Sequence, residues 1–144
     1  MKIKLIEQEL EIPSNLKINP KATEEEIKDV WRVMKRNENK ITDDGTINIH
    51  NRLLLMNMGL KCIPFYFNEV KGNFYCFSNK LTSLEGCPEE VGRNFACSDN
   101  QLYTLKYCPK VVKGGFDCRY NIVKFTKKYV RKHCKVGGGV ILWK

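Results

Sequence analysis

Long apolar runs are missing from this chain of 144 residues; none approaches the roughly 20 residues that a membrane-crossing helix needs. Histidine is nearly absent. His50 and His133 are the only two, and neither lies at a spacing that suggests a metal site or a nucleophile with its base. The seven cysteines include no Cys-x-x-Cys pair, which weighs against zinc. No Gly-Lys-Ser/Thr follows Gly137-Gly138-Gly139, so this run is not a phosphate-binding loop. It is expected to turn the chain into a last strand, Val140 to Trp143. These absences leave no catalytic residue, metal or cofactor to assign, and an enzyme is not expected.

The opening residues, Met1-Lys2-Ile3-Lys4-Leu5-Ile6-Glu7, turn acidic before the apolar core of an export signal can form. The expected location is therefore the reducing cytoplasm, with no membrane association. There an odd number of cysteines reads as free thiols rather than a disulfide framework. Charge is unevenly spread. Met1 to Tyr103 carry 14 Lys+Arg against 15 Asp+Glu, whereas Thr104 to Lys144 carry 11 Lys+Arg against the single acid Asp117. That asymmetry raises the prospect of an acidic or polyanionic partner at the basic end.

A repeat organises most of the chain. Phe74/Phe95/Phe116, Cys76/Cys97/Cys118 and Asn79/Asn100/Asn121 recur at an offset of 21 residues. The same offset holds for Leu81/Leu102/Val123, Leu84/Leu105, Cys87/Cys108, Pro88/Pro109 and Val70/Val91/Val112. One step earlier lies a degenerate coil with Leu53, Leu55, Leu60 and Ile63. A last partial coil fits after an insertion of three residues, matching Val136 to Val112, Val140 to Phe116 and Leu142 to Cys118. Phe-x-Cys alternation is a short strand with one buried face. The asparagine three residues on sits where the chain turns, placed to bond the backbone of its own and the neighbouring coil. No coil buries its apolar row alone, so coils stacked about 4.8 Å apart must share one core. Cys76, Cys97 and Cys118 then form one inward ladder and Cys87 with Cys108 a second. Small buried thiols are the reading this favours, with zinc and ladder disulfides as rivals.

Phe74-x-Cys76-x-x-Asn79-x-Leu81-x-x-Leu84 resembles the leucine-rich repeat core L-x-L-x-x-N-x-L-x-x-L. Asp44-Gly45-Thr46-Ile47-Asn48-Ile49, Leu60-x-x-Ile63-Pro64-Phe65-x-Phe67 and Leu81-Thr82-Ser83-Leu84-Glu85-Gly86-Cys87-Pro88 look like the short leucine-rich proteins of large tailed bacteriophages. The resemblance covers about residues 43–123 and none of residues 1–40. It implies a curved solenoid used for binding, brings no catalytic residues, and would place the protein in the host cytoplasm.

The expected architecture is a leucine-rich-repeat-like solenoid at 42–144, with a parallel sheet of about five short strands, behind an N-terminal α/β cap at 1–41. Within the cap, Thr23-Glu24-Glu25-Glu26 is a capping box. Ile27, Val30, Trp31 and Met34 then mark one face of a helix over about 24–36. Ile3 to Ile12 has the pattern of one or two strands, and Asp43-Asp44-Gly45 a turn into a strand through Ile47 and Ile49. Trp31 packs either on the first coil or on a partner. His133, at the offset of Val91 and Val112, is expected to be a partly packed side chain.

Alternation of strand side chains names the outward face. One row is Leu54, Tyr75, Ala96, Asp117 and Ile141; the next is Met56, Phe77, Ser98, Arg119 and Trp143. At the strand edge lie Asn57, Ser78, Asp99 and Tyr120. Leu54, Met56, Tyr75, Phe77, Arg119, Tyr120 and Trp143 are the candidate partner-binding residues, because aromatic residues, Met and Arg are common interface anchors. The competing reading folds residues 1–40 over this patch. Lys124, Lys127, Lys128, Arg131, Lys132 and Lys135 surround Phe125, Val130 and Cys134 on an expected helical turn. They form either a solvated face or an anion and nucleic-acid surface. Three functions follow: a module that binds and modulates a host or viral protein through the sheet face, a nucleic-acid or ribonucleoprotein binder, or a component of a virus particle. The first is favoured, because repeat register generates its surface.

Overall fold

The computed structural model describes residues 10–142. Helix α1 (Glu24–Lys35) begins as the sequence dictates: the Thr23 hydroxyl accepts the Glu26 N–H at 3.1 Å, and the Glu26 carboxylate accepts the Thr23 N–H at 2.9 Å. Glutamates fill its first turn and Arg32 and Lys35 its last, matching the helix dipole. Its apolar stripe, Ile27, Val30, Trp31 and Met34, is buried. Trp31 lies 6.1 Å from the Phe65 ring and donates its indole N–H to the Leu10 carbonyl at 3.0 Å. Trp31 thus belongs to the cap and packs on the first coil. The strand expectation over Ile3 to Ile12 falls mostly outside the described residues, and Leu10 to Ile12 belong to no strand.

Glu26 has a second task. Its other carboxylate oxygen accepts the Lys61 N–H at 2.7 Å and the Cys62 N–H at 3.3 Å, which fastens the helix to the first coil. Burial pushes the Glu26 pKa up, but the hydrogen bonds from Thr23, Lys61 and Cys62 outweigh it and hold the carboxyl below its ordinary value.

Beyond the cap the chain winds as a β-solenoid of about five turns, with parallel strands. A hairpin of β1 (Asn39–Ile41) and β2 (Ile47–Ile49) leads in, with β1 antiparallel to β2. The coils follow with β3 (Leu53–Leu54), β4 (Phe67–Val70), β5 (Phe74–Tyr75), β6 (Glu90–Val91), β7 (Phe95–Ala96), β8 (Val111–Val112) and β9 (Phe116–Asp117). Helix α2 (Lys127–His133), β10 (Lys135–Val136) and β11 (Val140–Ile141) complete the order. The expected parallel sheet runs β3-β5-β7-β9-β11, with Leu53, Phe74, Phe95, Phe116 and Val140 in register.

A second sheet accompanies it, in the order β1-β2-β4-β6-β8-β10. Of its members, the strand through Ile47 and Ile49 is as expected, whereas the Val70/Val91/Val112 column was expected only as a repeat and not as strands. Each of its later strands is two residues long, too short for alternation to show. Chain passage between the sheets is tight: a Cβ on Gly92 would lie 2.1 Å from the Lys71 carbonyl oxygen.

One core cluster runs from Ile12 to Val136. Phe74 and Phe95 stack at 5.7 Å, and Phe95 meets Phe116 edge-on at 4.9 Å. All seven cysteines are buried free thiols. The three-residue insertion before the last coil is taken up by α2, whose Val130 is buried together with the flanking Phe125 and Cys134. Val136 stands beside Val112, as the insertion predicts, and His133 does not share that column. His133 instead ends α2, with Nδ1 2.9 Å from the Tyr129 carbonyl and its ring 4.4 Å from the Tyr129 ring. Among the described residues no helix is long and apolar enough to cross a membrane.

A carboxyl with a lowered folded pKa contributes stability that is present above its unfolded value and lost as pH falls through the folded one. Glu26→Gln is therefore expected to cost about 2 kcal/mol at neutral pH and to flatten the acid-side decline in stability. Urea unfolding at neutral and acidic pH measures both effects.

Candidate binding face

The outward rows of the five-stranded sheet are placed by its register. Leu54, Tyr75, Ala96, Asp117 and Ile141 pair in line across successive coils. Leu54, Met56, Tyr75 and Phe77 are each half-buried, so the apolar patch is a partly sheltered surface. Tyr75 and Phe77 support one another with ring centroids 5.7 Å apart and planes at 55°. An open groove of about 510 Å³ crosses the face; no described residue before Tyr75 lines it. Helix α1 sits at the end of the solenoid, against β3 and Phe65, and leaves this groove uncovered. Residues 1–9 and Trp143 lie outside the described residues.

Arg119 is already engaged. Its Nε donates to Asp117 Oδ1 at 3.1 Å and its Nη2 to Asp117 Oδ2 at 2.9 Å, forming a two-point ion pair on the face. Its guanidinium also lies 5.8 Å from the Tyr120 ring centroid. Tyr120 is 57% exposed and ends a column of left-handed residues, Asn57, Ser78, Asp99 and Tyr120, with φ of 57°, 55°, 53° and 56°. The conformation keeps coil stacking in step: the N–H groups of Ser78 and Asp99 reach the Ser98 and Arg119 carbonyls of the next coil at 3.0 and 2.9 Å.

Ile141 also belongs to this face, and Tyr103, Ile122 and Val123 are exposed apolar side chains. Val123 shares a column with the buried Leu81 and Leu102, so the repeat signal alone placed it inside. Ile141 was named in the outward row but not chosen.

At the basic end the structure divides the candidates. Lys124, Lys127, Lys128, Lys132 and Lys135 are exposed on and around α2. Arg131 has a different role. Its Nη1 donates to the Val136 carbonyl at 3.0 Å and its Nη2 to the Gly138 carbonyl at 3.2 Å. In the preceding coil the matching carbonyls, of Val112 and Gly114, accept N–H groups from Gly137 and Gly138 at 2.9 Å each. Arg131 thus supplies the two donors that a further coil would supply, and blunts the open edge beside β10.

Other chemistry is muted. Burial pushes the thiols of Cys62, Cys108 and Cys118 up to about 12 and that of Cys134 to about 11, which leaves them protonated and unreactive at neutral pH. Among the described residues no three His, Cys, Asp or Glu side chains cluster to hold a metal. A second cleft, of about 630 Å³, is lined by Lys17, Tyr66, Glu85 and Tyr107 among others. Its polar groups largely satisfy one another. The Tyr66 hydroxyl bonds Glu85 at 2.5 Å, which raises the phenol to about 12, and the Lys17 ammonium sits 4.9 Å from the Tyr66 ring centroid.

Arg131→Ala is expected to speed amide hydrogen exchange at Gly137 and Gly138 about tenfold, because the last coil loses its edge donors. Lys128→Ala on the same helix should leave that exchange unchanged. Hydrogen exchange read by mass spectrometry separates the two. No family model, curated protein or solved structure matches the chain.

Proposed function

We propose that this chain is a non-enzymatic protein-binding module that works in the cytoplasm and docks through the outward face of its five-stranded sheet. The observation that carries this reading is the groove beside Tyr75 and Phe77, which no described residue of the N-terminal cap lines, next to Leu54 and Met56 on a rigid stack of coils. Half-buried aromatic side chains on and just beyond a strand reach a partner already ordered, so little conformational entropy is lost on binding. The resemblance of the repeat to short phage leucine-rich proteins makes a host or viral protein the proposed partner, bound so as to modulate or inhibit it.

A second reading has its own support. The side chains of Lys127, Lys128, Lys132 and Lys135 are exposed around a short helix and make no ion pair among the described residues. They would suit a phosphate backbone, in a nucleic-acid complex or a virus particle. Salt separates the readings: binding led by phosphate contacts weakens steeply with salt, while an apolar interface barely responds.

Affinity purification from producing cells with mass spectrometry identifies the partner, and binding to that purified partner tests the face. Tyr75→Ala with Phe77→Ala is expected to cost about 2 kcal/mol or more for each true anchor, with little salt dependence. Reversing Lys127, Lys128 and Lys132 to Glu should slow association modestly and leave the bound lifetime nearly intact. Binding that survives the double alanine change and collapses on charge reversal would overturn the proposal.

A further inference from the structure

The two outward rows are interrupted at a single coil. Along the stack they read Leu54, Tyr75, Ala96, Asp117 and Met56, Phe77, Ser98, Arg119, so the third coil contributes the smallest side chain to each row. Ala96 is only 8% exposed and forms the floor of a notch. Tyr75 and Phe77 make one wall, and the Asp117–Arg119 ion pair makes the other. The walls belong to coils two strand spacings apart, roughly 9.6 Å. Once the thickness of the walls themselves is allowed for, one flat ring fits between them and two do not.

Charge narrows the occupant further. Asp117 and Arg119 satisfy each other through two hydrogen bonds, with the Asp117 side chain 16% exposed. The two opposite charges largely cancel, so a charged guest gains little net attraction and loses its own hydration. A neutral aromatic guest leaves the pair intact, meets the guanidinium through its π face and stacks on or against the tilted Tyr75 and Phe77 rings. An aliphatic guest would gain burial alone.

We propose that this notch receives one large, uncharged aromatic side chain projecting from the partner protein, held between the Tyr75–Phe77 wall and the Arg119 guanidinium. The inference rests on the sheet-face reading above and specifies the partner chemistry that this face selects. The hole lies in coil three, where the repeat could have carried a bulky residue, as coils one and two do at Leu54, Met56, Tyr75 and Phe77.

The test uses the full chain, isotope-labelled, titrated with N-acetyl-tryptophan amide and followed by amide chemical shifts. Saturable shifts are expected at Phe77, Ala96, Ser98 and Arg119, with N-acetyl-leucine amide and N-acetyl-lysine amide weaker by about tenfold or more. Ala96→Leu fills the floor with a side chain that the same row already carries at Leu54, and should abolish the effect. Ser98→Leu, in the row of Met56, repeats the test should Ala96→Leu fail to fold. Equal saturation by the leucine or lysine probe overturns the inference, as do shifts unaffected by either filling substitution. Failure of the sheet-face reading looks different. In that case the identified partner binds the filled variants and the Tyr75→Ala, Phe77→Ala variant with unchanged affinity, whatever the probe does. Loss of the partner on filling, without selective binding of the tryptophan probe, leaves the sheet-face reading standing and rejects the aromatic guest.

Discussion

Three buried carboxamides hold the coils in step. Asn100 donates to the carbonyls of Cys97 in its own coil and Cys76 in the preceding one, at 3.1 and 3.0 Å, and accepts the Leu81 N–H at 3.0 Å. Asn79 and Asn121 repeat the pattern 21 residues to either side. These backbone groups lie where the strand ends and the chain turns inward, out of reach of both solvent and sheet ladder. Left unpaired, each would cost about 1–3 kcal/mol. The asparagine satisfies them and joins two coils at once, so the phenylalanine stack and cysteine ladders inherit their register from it.

A stack needs a beginning and an end, and here a charged side chain serves each. Met58 occupies the asparagine position in the first coil, where no earlier coil exists to receive its bonds. Glu26, from α1, instead accepts the N–H groups of Lys61 and Cys62. At the other end Arg131 donates to Val136 and Gly138. One carboxylate meets donors and one guanidinium meets acceptors, and both are anchored on helices that break the repeat. The outward face of the five-stranded sheet lies between these ends, a by-product of stacking that is free to vary in sequence without disturbing the interior.

Much of this was legible in the residues. The offset of 21, the insertion of three, the capping box at Thr23 and the helical turn around Val130 each predicted what the structure contains. These features depend on local spacing. What stayed hidden depends on geometry between coils. The second sheet rests on pairs of residues whose outward members change character along the stack, from Glu69 and Glu90 to Val111 and Lys135. His133 was given the offset of Val91 and Val112, which the insertion of three assigns to Val136; it is half-buried as expected, but at the end of α2. The engagement of Arg131 needs Val136 and Gly138 brought back beneath the helix, which composition could not announce. The Asp117–Arg119 pair was within reach, since alternation sets residues two apart on one face, yet Arg119 was read as a free anchor.

The account therefore stands on the asparagine ladder, and Asn100→Leu tests it most directly because leucine keeps the branched shape and number of heavy atoms while removing the hydrogen bonds. Denaturant unfolding should show a loss of about 3 kcal/mol or more, and hydrogen exchange should quicken at Leu81 in the preceding coil and around Cys97 in the same coil. A variant that unfolds at the wild-type denaturant concentration, with protection unchanged in those coils, would contradict it.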